Sequence, residues 1–425
     1  MFRKSFILST GYVVNTFISG IFGIYVTRIL GPEEKGVLAI ALGSCGLMSA
    51  LFSFGIPYSA AYYIRSHPGS QSFILSQTNR VMIVCAMLSL TLVVLSKEAF
   101  SSLFLGGKTI DAFMTALLVG MVIVDTGNNI VGATLVAQGD SKGYAVSINA
   151  GTVVYVASTL ILLSLFHQRL HAVILGTLVG TIAATFMMRN RYRLFAGEVT
   201  GAQHPVTARN FYTYGIQAQA GALGSLVFKR IDIYLISYFI NTSAVGLYSV
   251  GLSLRDIAMT ASRAFAGLAG GEMADPVNQA NGTAKNILKK GIIFNVVSSL
   301  FIIMVALLIF PYFIPLAYGE AFTKSINVSI IIMGSLLPLS VTLLIGKAIQ
   351  SKGRPLLQSV NNVISAVVCT VVVWQFTKHF GILGAASATI VDSMVVLLFS
   401  CLFLYLSDRK RATDYTNDRK KIENV

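Results

Sequence analysis

Apolar residues run along this chain in continuous blocks, without the two-residue alternation of a strand that faces two environments. Twelve blocks stand out between polar breaks. Six lie near 7–29, 38–63, 78–96, 112–136, 144–166 and 170–188, and six near 211–240, 244–268, 287–310, 326–349, 356–377 and 381–406. Each is close to the roughly 20 residues needed to cross a hydrocarbon core about 30 Å thick. In lipid only helices and closed barrels satisfy their own backbone groups, and unbroken apolar runs select helices. The pattern predicts an all-α integral membrane protein with about twelve transmembrane helices.

Composition agrees. Of the 425 residues, 55% are hydrophobic and only 12% charged, against roughly 25% charged in soluble domains; mean hydropathy is +0.73. The net charge of +15 would suit nucleic acid, but its placement excludes that class. With an even number of crossings, the connections and tail on the side of the termini carry 21 Lys and Arg, and the opposite side carries 7. This asymmetry predicts two cytoplasmic termini. Arg3 and Lys4 precede an apolar stretch that lacks a small-residue cleavage site, so it reads as a retained first helix. Cys45, Cys85, Cys369 and Cys401 all fall inside apolar runs and read as small packing residues.

The two sets of six repeat weakly. GVLAIALG (36–43) matches GLYSVGLS (246–253) at an offset of 210, and 137–151 matches 349–363 at 212, pairing Gln138 with Gln350 and Asn149 with Asn361. Two six-helix halves in the same orientation form a parallel repeat, and transporters so built hold their substrate between the halves. The expected division is an N-terminal lobe over 1–195, a linker over 196–210, a C-terminal lobe over 211–406 and a basic tail over 407–425.

Five segments, in order, are TRILGPEEKGVLAIA (27–41), VAQGDSKG (136–143), FKRIDIYLISYFINTSAVGLYSVG (228–251), QSKGRP (350–355) and FGILGAASATI (380–390). With them the whole chain resembles the polysaccharide-transport branch of the multidrug/oligosaccharidyl-lipid/polysaccharide exporter (MOP) superfamily, and bacterial O-antigen flippases in particular. The resemblance implies a V-shaped, two-lobe fold like that of MATE transporters and alternating access. It also implies a substrate, an undecaprenyl-pyrophosphate-linked oligosaccharide moved from the cytoplasmic to the outer leaflet of a bacterial inner membrane. A polysaccharide polymerase and a chain-length regulator are the implied protein partners. Drug-exporting relatives often carry an acidic residue in the first helix; here that helix offers only a polar patch, Asn15 and Ser19.

Charges at mid-membrane depth cost several kcal/mol on insertion scales and usually face a cavity or a partner. In the seventh helix Tyr214, Gln217, Gly221, Ser225, Lys229 and Asp232 recur at three- or four-residue steps, making one polar face about 120° wide. Lys229 lies roughly 6 Å from the midplane at about 1.5 Å rise per residue. It reads either as a head-group ligand or as half of a neutralising i,i+3 pair with Asp232. Arg230 points away from this face. Arg255 is central in the eighth helix, with Arg263 two turns on and Asp256 about 100° round, too far to neutralise Arg255 from the same face. An arginine fork suits a pyrophosphate. The candidate head-group residues are therefore Arg255, Lys229, Arg263, Gln217 and Tyr214. Asp125 (beside Asn128 and Asn129), Asp232 and Asp392 are candidates for a coupling proton or sodium ion.

His167 and His171 have i,i+4 spacing but no third ligand, so they read as interfacial polarity and no metal or other cofactor is expected. The Gly176–Gly180 and Gly267–Gly271 spacings predict close helix packing. No phosphate loop, HExxH motif or nucleophile elbow occurs, and no catalytic residue is assigned. A cation-coupled drug antiporter would want an acidic or aromatic lining rather than a buried excess of Lys and Arg. A membrane polymerase or glycosyltransferase would want a sizeable polar outer loop, whereas the outer connections near 97–111 and 311–325 are short.

Overall fold

The computed structural model describes residues 2–66, 70–95, 111–196, 207–273, 281, 283–351 and 355–423, and it leaves out the side chains of 2–9, 65–66, 71, 92–95, 194–196, 220–229, 355–359 and 407–423. The described residues are helical almost throughout. In chain order the helices are α1 (Phe2–Phe52), α2 (Ile56–Ser66), α3 (Gln71–Leu95), α4 (Ala112–Gln138), α5 (Ser141–Leu165) and α6 (Arg169–Ala196). There follow α7 (Ala208–Phe239), α8 (Thr242–Met273), α9 (Thr283–Tyr318), α10 (Ser325–Gly334), α11 (Leu336–Ser351) and α12 (Pro355–Glu423). Part of the expected linker, 197–206, and the outer connection 96–110 lie outside the described residues.

Among the described residues, eight helical stretches are long and apolar enough to cross a membrane. Two of them, Thr10–Phe52 and Val360–Leu406, are each a pair of crossings. They reverse at Gly31 (φ 71°) and Gly381 (φ 59°), backbone that L side chains rarely adopt. The charged helices α7 and α8, 32 residues each, complete the twelve crossings. Boundaries differ from the sequence reading in three places. The second crossing begins at Pro32 and is interrupted at Phe54 and Gly55, both at positive φ. The tenth is broken at Ser335 into α10 and α11. The ninth runs on through Pro311 and Pro315 to Tyr318, which shortens the outer connection expected at 311–325. A missing proline N–H is tolerated there because neighbouring groups in a helical membrane protein can satisfy the freed carbonyls.

The halves meet along α1 and α8. The glycines aligned by the repeat touch each other: a Cβ on Gly36 would lie 1.8 Å from the Thr242 carbonyl oxygen, and one on Gly246 equally close to that of Pro32. Only hydrogen side chains permit so close an approach of two backbones. On the same side, away from the termini, Arg28 donates to the Leu316 carbonyl at 3.3 Å and Arg169 to that of Ile29 at 2.8 Å. Each half also places a residue in the other's core. Ile40 packs among Ile233, Ile236, Val245 and Tyr248, and Phe211 among Ile56, Ile130 and Tyr192. On the terminus side, Ser59 donates to the Phe211 carbonyl at 2.6 Å and Tyr62 stacks on Tyr214 at 4.6 Å.

Two packing expectations separate here. Gly176 and Gly180 sit hard against Thr159 and Tyr155, as their spacing suggests. Gly267 and Gly271 meet nothing within 4 Å among the described residues, so that pair is not a packing motif. Three of the cysteines are buried, but Cys401 is exposed and is not a packing residue. The outward apolar face of α9, including Val297, Phe301, Leu308 and Tyr312, is the surface a bilayer would cover.

Candidate functional site

One cavity among the described residues has a volume of about 610 Å³ and is lined by α7, α8, α11 and α12, all from the C-terminal half. Four cations, Arg230, Arg255, Arg263 and Lys347, and three carboxylates, Asp232, Asp256 and Asp392, reach it. The α7 helix carries Asp232 to its buried end. There the carboxylate accepts the Tyr248 hydroxyl at 2.7 Å and the Ile233 backbone N–H at 2.8 Å, with Arg230 and Arg255 in electrostatic reach. Asp392 is 6% exposed; it accepts the Cys369 thiol, and its Oδ1 has no partner among the described residues. Lys347 and Gln350, paired at 3.4 Å near the end of α11, stand toward the terminus side.

Arg255 has Asp232 in electrostatic reach but few hydrogen-bond partners. Its Nη1 donates to Ser335 Oγ at 3.4 Å, at the break between α10 and α11, and its buried Nε finds no acceptor among the described residues. A guanidinium has five donors in a rigid fork, so most of this one's capacity is left for something else. Arg263 differs: its Nη2 donates to Asp256 Oδ1 at 2.8 Å, two helical turns away, and both side chains are about half exposed. Asp256 is thus too far round the helix for Arg255 and pairs with Arg263. Arg230, expected to turn away from the polar face, lines the cavity with Asp232.

The remaining candidates lie elsewhere. The backbone of Lys229 continues α7, but its side chain is outside the description. Tyr214 is 38% exposed and stacks on Tyr62; Gln217 is exposed, and neither lines the large cavity. Asp125 accepts from Asn129 Nδ2 at 3.4 Å and from Ser49, in the N-terminal half. Asn15 donates to Thr152 Oγ1, and Ser19 to the Asn15 carbonyl, so the first-helix patch serves the contact with α5. A second cavity of about 280 Å³ is lined from both halves by Ser53, Tyr58, Asn129 and Gln219 among others. Tyr248, Cys369 and Ser335 were not legible in sequence, since each meets its partner from another crossing.

His171 Nε2 sits 3.2 Å from Asp111 Oδ2, against the Phe113 ring. No group of three metal-ligating side chains occurs among the described residues. Asp111 caps α4; the Met114 N–H, with His171 behind it, holds its carboxyl below the usual carboxylate range. That cap is kept at neutral pH and lost as pH falls through the lowered value.

A family model described as "Polysaccharide biosynthesis protein" matches residues 1–267, more than half of the chain. A protein of Haloferax volcanii described as a probable low-salt glycan biosynthesis flippase is 22% identical over 405 residues, covering 90% of this chain and 80% of its own length. Among solved structures, a multidrug resistance MATE family transporter of the MOP superfamily matches in two states. The inward-facing state has a TM-score of 0.66 at 14% identity over 93% of this chain and 96% of that one. The outward-facing state has 0.67 at 16% over 97% and 96%. A MOP superfamily transporter from Pyrococcus furiosus, described as having a binding pocket of reverse polarity, matches at 0.67 and 14% over 96% and 95%. At these identities the structural likeness carries the fold.

Proposed function

Because the chain belongs to the polysaccharide biosynthesis protein family, flippases of the MOP superfamily, we propose that its cargo is an undecaprenyl-pyrophosphate-linked oligosaccharide, an O-antigen or similar repeat unit. The unit moves from the cytoplasmic to the outer leaflet of a bacterial inner membrane, with both termini in the cytoplasm. The observation that carries this reading is Arg255, a cavity arginine with an unpartnered Nε and one long bond to Ser335. With Asp232 in electrostatic reach but no carboxylate bonded to its fork among the described residues, such a charge is still unfavourable in a low-dielectric interior. A pyrophosphate would accept its fork in two parallel bonds. Lys347 at the terminus-side end of the same cavity would draw the head group inward from the cytoplasm.

Asp232 and Asp392, deep in that cavity, are our candidates for a coupling proton or sodium ion, with Asp125 as a separate one in the N-terminal half. A polymerase and a chain-length regulator would receive the flipped unit. The alternative, a cation-coupled multidrug antiporter, shares the fold, but four cations against three carboxylates leave the cavity with an excess positive charge, which disfavours a cationic drug.

The test is complementation of a flippase-deficient strain, with membrane abundance measured in parallel. Arg255→Ala abolishes surface glycan while the protein stays near normal abundance. Full activity of that variant would remove Arg255 from the transport cycle; loss of the protein from the membrane would make its role structural.

A further inference from the structure

The three carboxylates that line the cavity with Arg255 are held in different ways. Asp232 is 7% exposed and accepts the Tyr248 hydroxyl and the Ile233 N–H. Asp392 is 6% exposed and accepts the Cys369 thiol. Asp256 differs from both: its side chain is 47% exposed, and it is ion-paired with Arg263 at 2.8 Å. That pair sets where the second guanidinium stands. Arg263 leaves α8 two turns beyond Arg255, toward the terminus side, yet its side chain folds back along the helix. Its Nη2 reaches Asp256 Oδ1, and its Nη1 reaches the Asp256 carbonyl at 3.4 Å. Asp256 directly follows Arg255 in the chain, so its carboxylate holds the Arg263 fork at the turn that carries Arg255.

Asp256 is therefore both a holder and a rival. A diphosphate has two phosphoryl groups, and each would accept an arginine fork in parallel bonds. Without such a ligand, Asp256 neutralises Arg263, and a half-exposed pair opens at little cost because water screens it. Once a diphosphate lies on the arginines, the Asp256 carboxylate is a like charge beside it and opposes its binding. Asp232 and Asp392 cannot exchange in this way, since each is buried against its own donor. A carrier gains from the opposition. Two arginines with no competing anion would hold a diphosphate tightly, and a transported ligand must be bound weakly enough to leave.

We infer that Asp256 is a resident counter-anion, which Arg263 exchanges for the diphosphate of the cargo and takes back when the cargo leaves. The inference rests on the diphosphate-linked cargo proposed above. It makes Asp256 a determinant of release: the carboxylate keeps Arg263 ready beside Arg255 and limits how tightly the two forks grip the head group.

The experiment is calorimetric titration of the purified full-length protein with inorganic pyrophosphate, beside complementation and membrane abundance. A holder alone and a rival predict opposite signs. If Asp256 only positions Arg263, Asp256→Asn weakens pyrophosphate binding or leaves it unchanged. If Asp256 competes, Asp256→Asn tightens binding about fivefold, the upper worth of a half-exposed pair. Asp256→Ala, which also frees Arg263 from its hold, tightens it less. The gain of Asp256→Asn over the parent shrinks between about 0.1 M and 1 M salt, as the Debye length falls from roughly 10 Å to 3 Å. A merely structural role would not respond to salt in this way. Complementation by Asp256→Asn falls below that of the parent at equal abundance, because release is slowed. Weaker, unchanged or undetectable pyrophosphate binding in Asp256→Asn, a gain indifferent to salt, full complementation, or loss of the protein from the membrane would each overturn the exchange. The head-group reading is judged separately, by complementation with Arg255→Ala, so either can fail while the other stands.

Discussion

Arg255 and Arg263 sit two turns apart on one helix and line one cavity, yet their surroundings separate them. Arg263 shares its charge with Asp256 at 2.8 Å in a half-exposed pair, and such pairs contribute about 0–1 kcal/mol. Asp256→Ala should therefore leave thermal stability of the purified protein within about 1 kcal/mol of the parent. A large drop would mean that the pair is shielded from water. Arg255→Lys should restore surface glycan only in part, because an ammonium keeps the charge and loses the fork; full complementation would show that geometry is immaterial there. Asp232 leans on Tyr248 at 2.7 Å. Tyr248→Phe withdraws that donor from a buried carboxylate, a penalty of about 1–3 kcal/mol. The melting temperature should fall, and Asp232→Asn combined with Tyr248→Phe should fall less than the two single changes added together. Strict additivity would mean that the two groups do not act on each other.

Helices in this protein touch through their smallest residues where the backbone must come close. Gly36 and Gly246 bring α1 and α8 into direct backbone contact, and any side chain there meets a carbonyl at 1.8 Å. Gly246→Leu should reduce membrane abundance and abolish transport. Gly267→Leu, on the same helix but with nothing within 4 Å of its Cβ position among the described residues, should do neither. Abundance measured by immunoblot decides between them, and equal tolerance would mean that the halves do not meet at α1 and α8. Helix breaks follow the same logic of position. The interruption at Ser335 brings its hydroxyl to Arg255, which an unbroken tenth crossing would have carried elsewhere.

Across the whole molecule, bridges between halves exist on both sides of the membrane. Away from the termini they are Gly36 with Gly246 and Arg28 with Leu316; on the terminus side they are Tyr62 with Tyr214 and Gln219 with Ala50. Alternating access requires one set to part while the other holds. Tyr62→Cys with Tyr214→Cys, joined by a cleavable bifunctional maleimide in the Cys401→Ser background, should stop transport, and cleavage of the linker should restore it. Transport that continues through a completed cross-link would show that this side never opens. Reporter fusions after Val425 should report cytoplasm and fusions near Asn241 the outer side. An external C-terminus would undo the charge argument.

Crossing number, helix class and the two-fold repeat were written in the sequence, because lipid forces each crossing to satisfy its own backbone and so makes the signal local. Even the contact of Gly36 with Gly246 was foreshadowed by the offset of 210 that aligns them. What faces a given residue was not legible. Helical periodicity fixes the direction in which Arg255, Arg263 and Asp232 leave their helices, but their partners come from other turns and other crossings. Only packing decided that Asp256 serves Arg263, that Tyr248 serves Asp232, and that Gln219 of one half closes a cavity in the other. It also decided that the cavity holding Arg255 and Asp232 is walled by the C-terminal half alone, since helices of similar hydrophobicity can meet on many faces. The choice among them rests on small residues, breaks and polar pairs that interact only once the chain has folded.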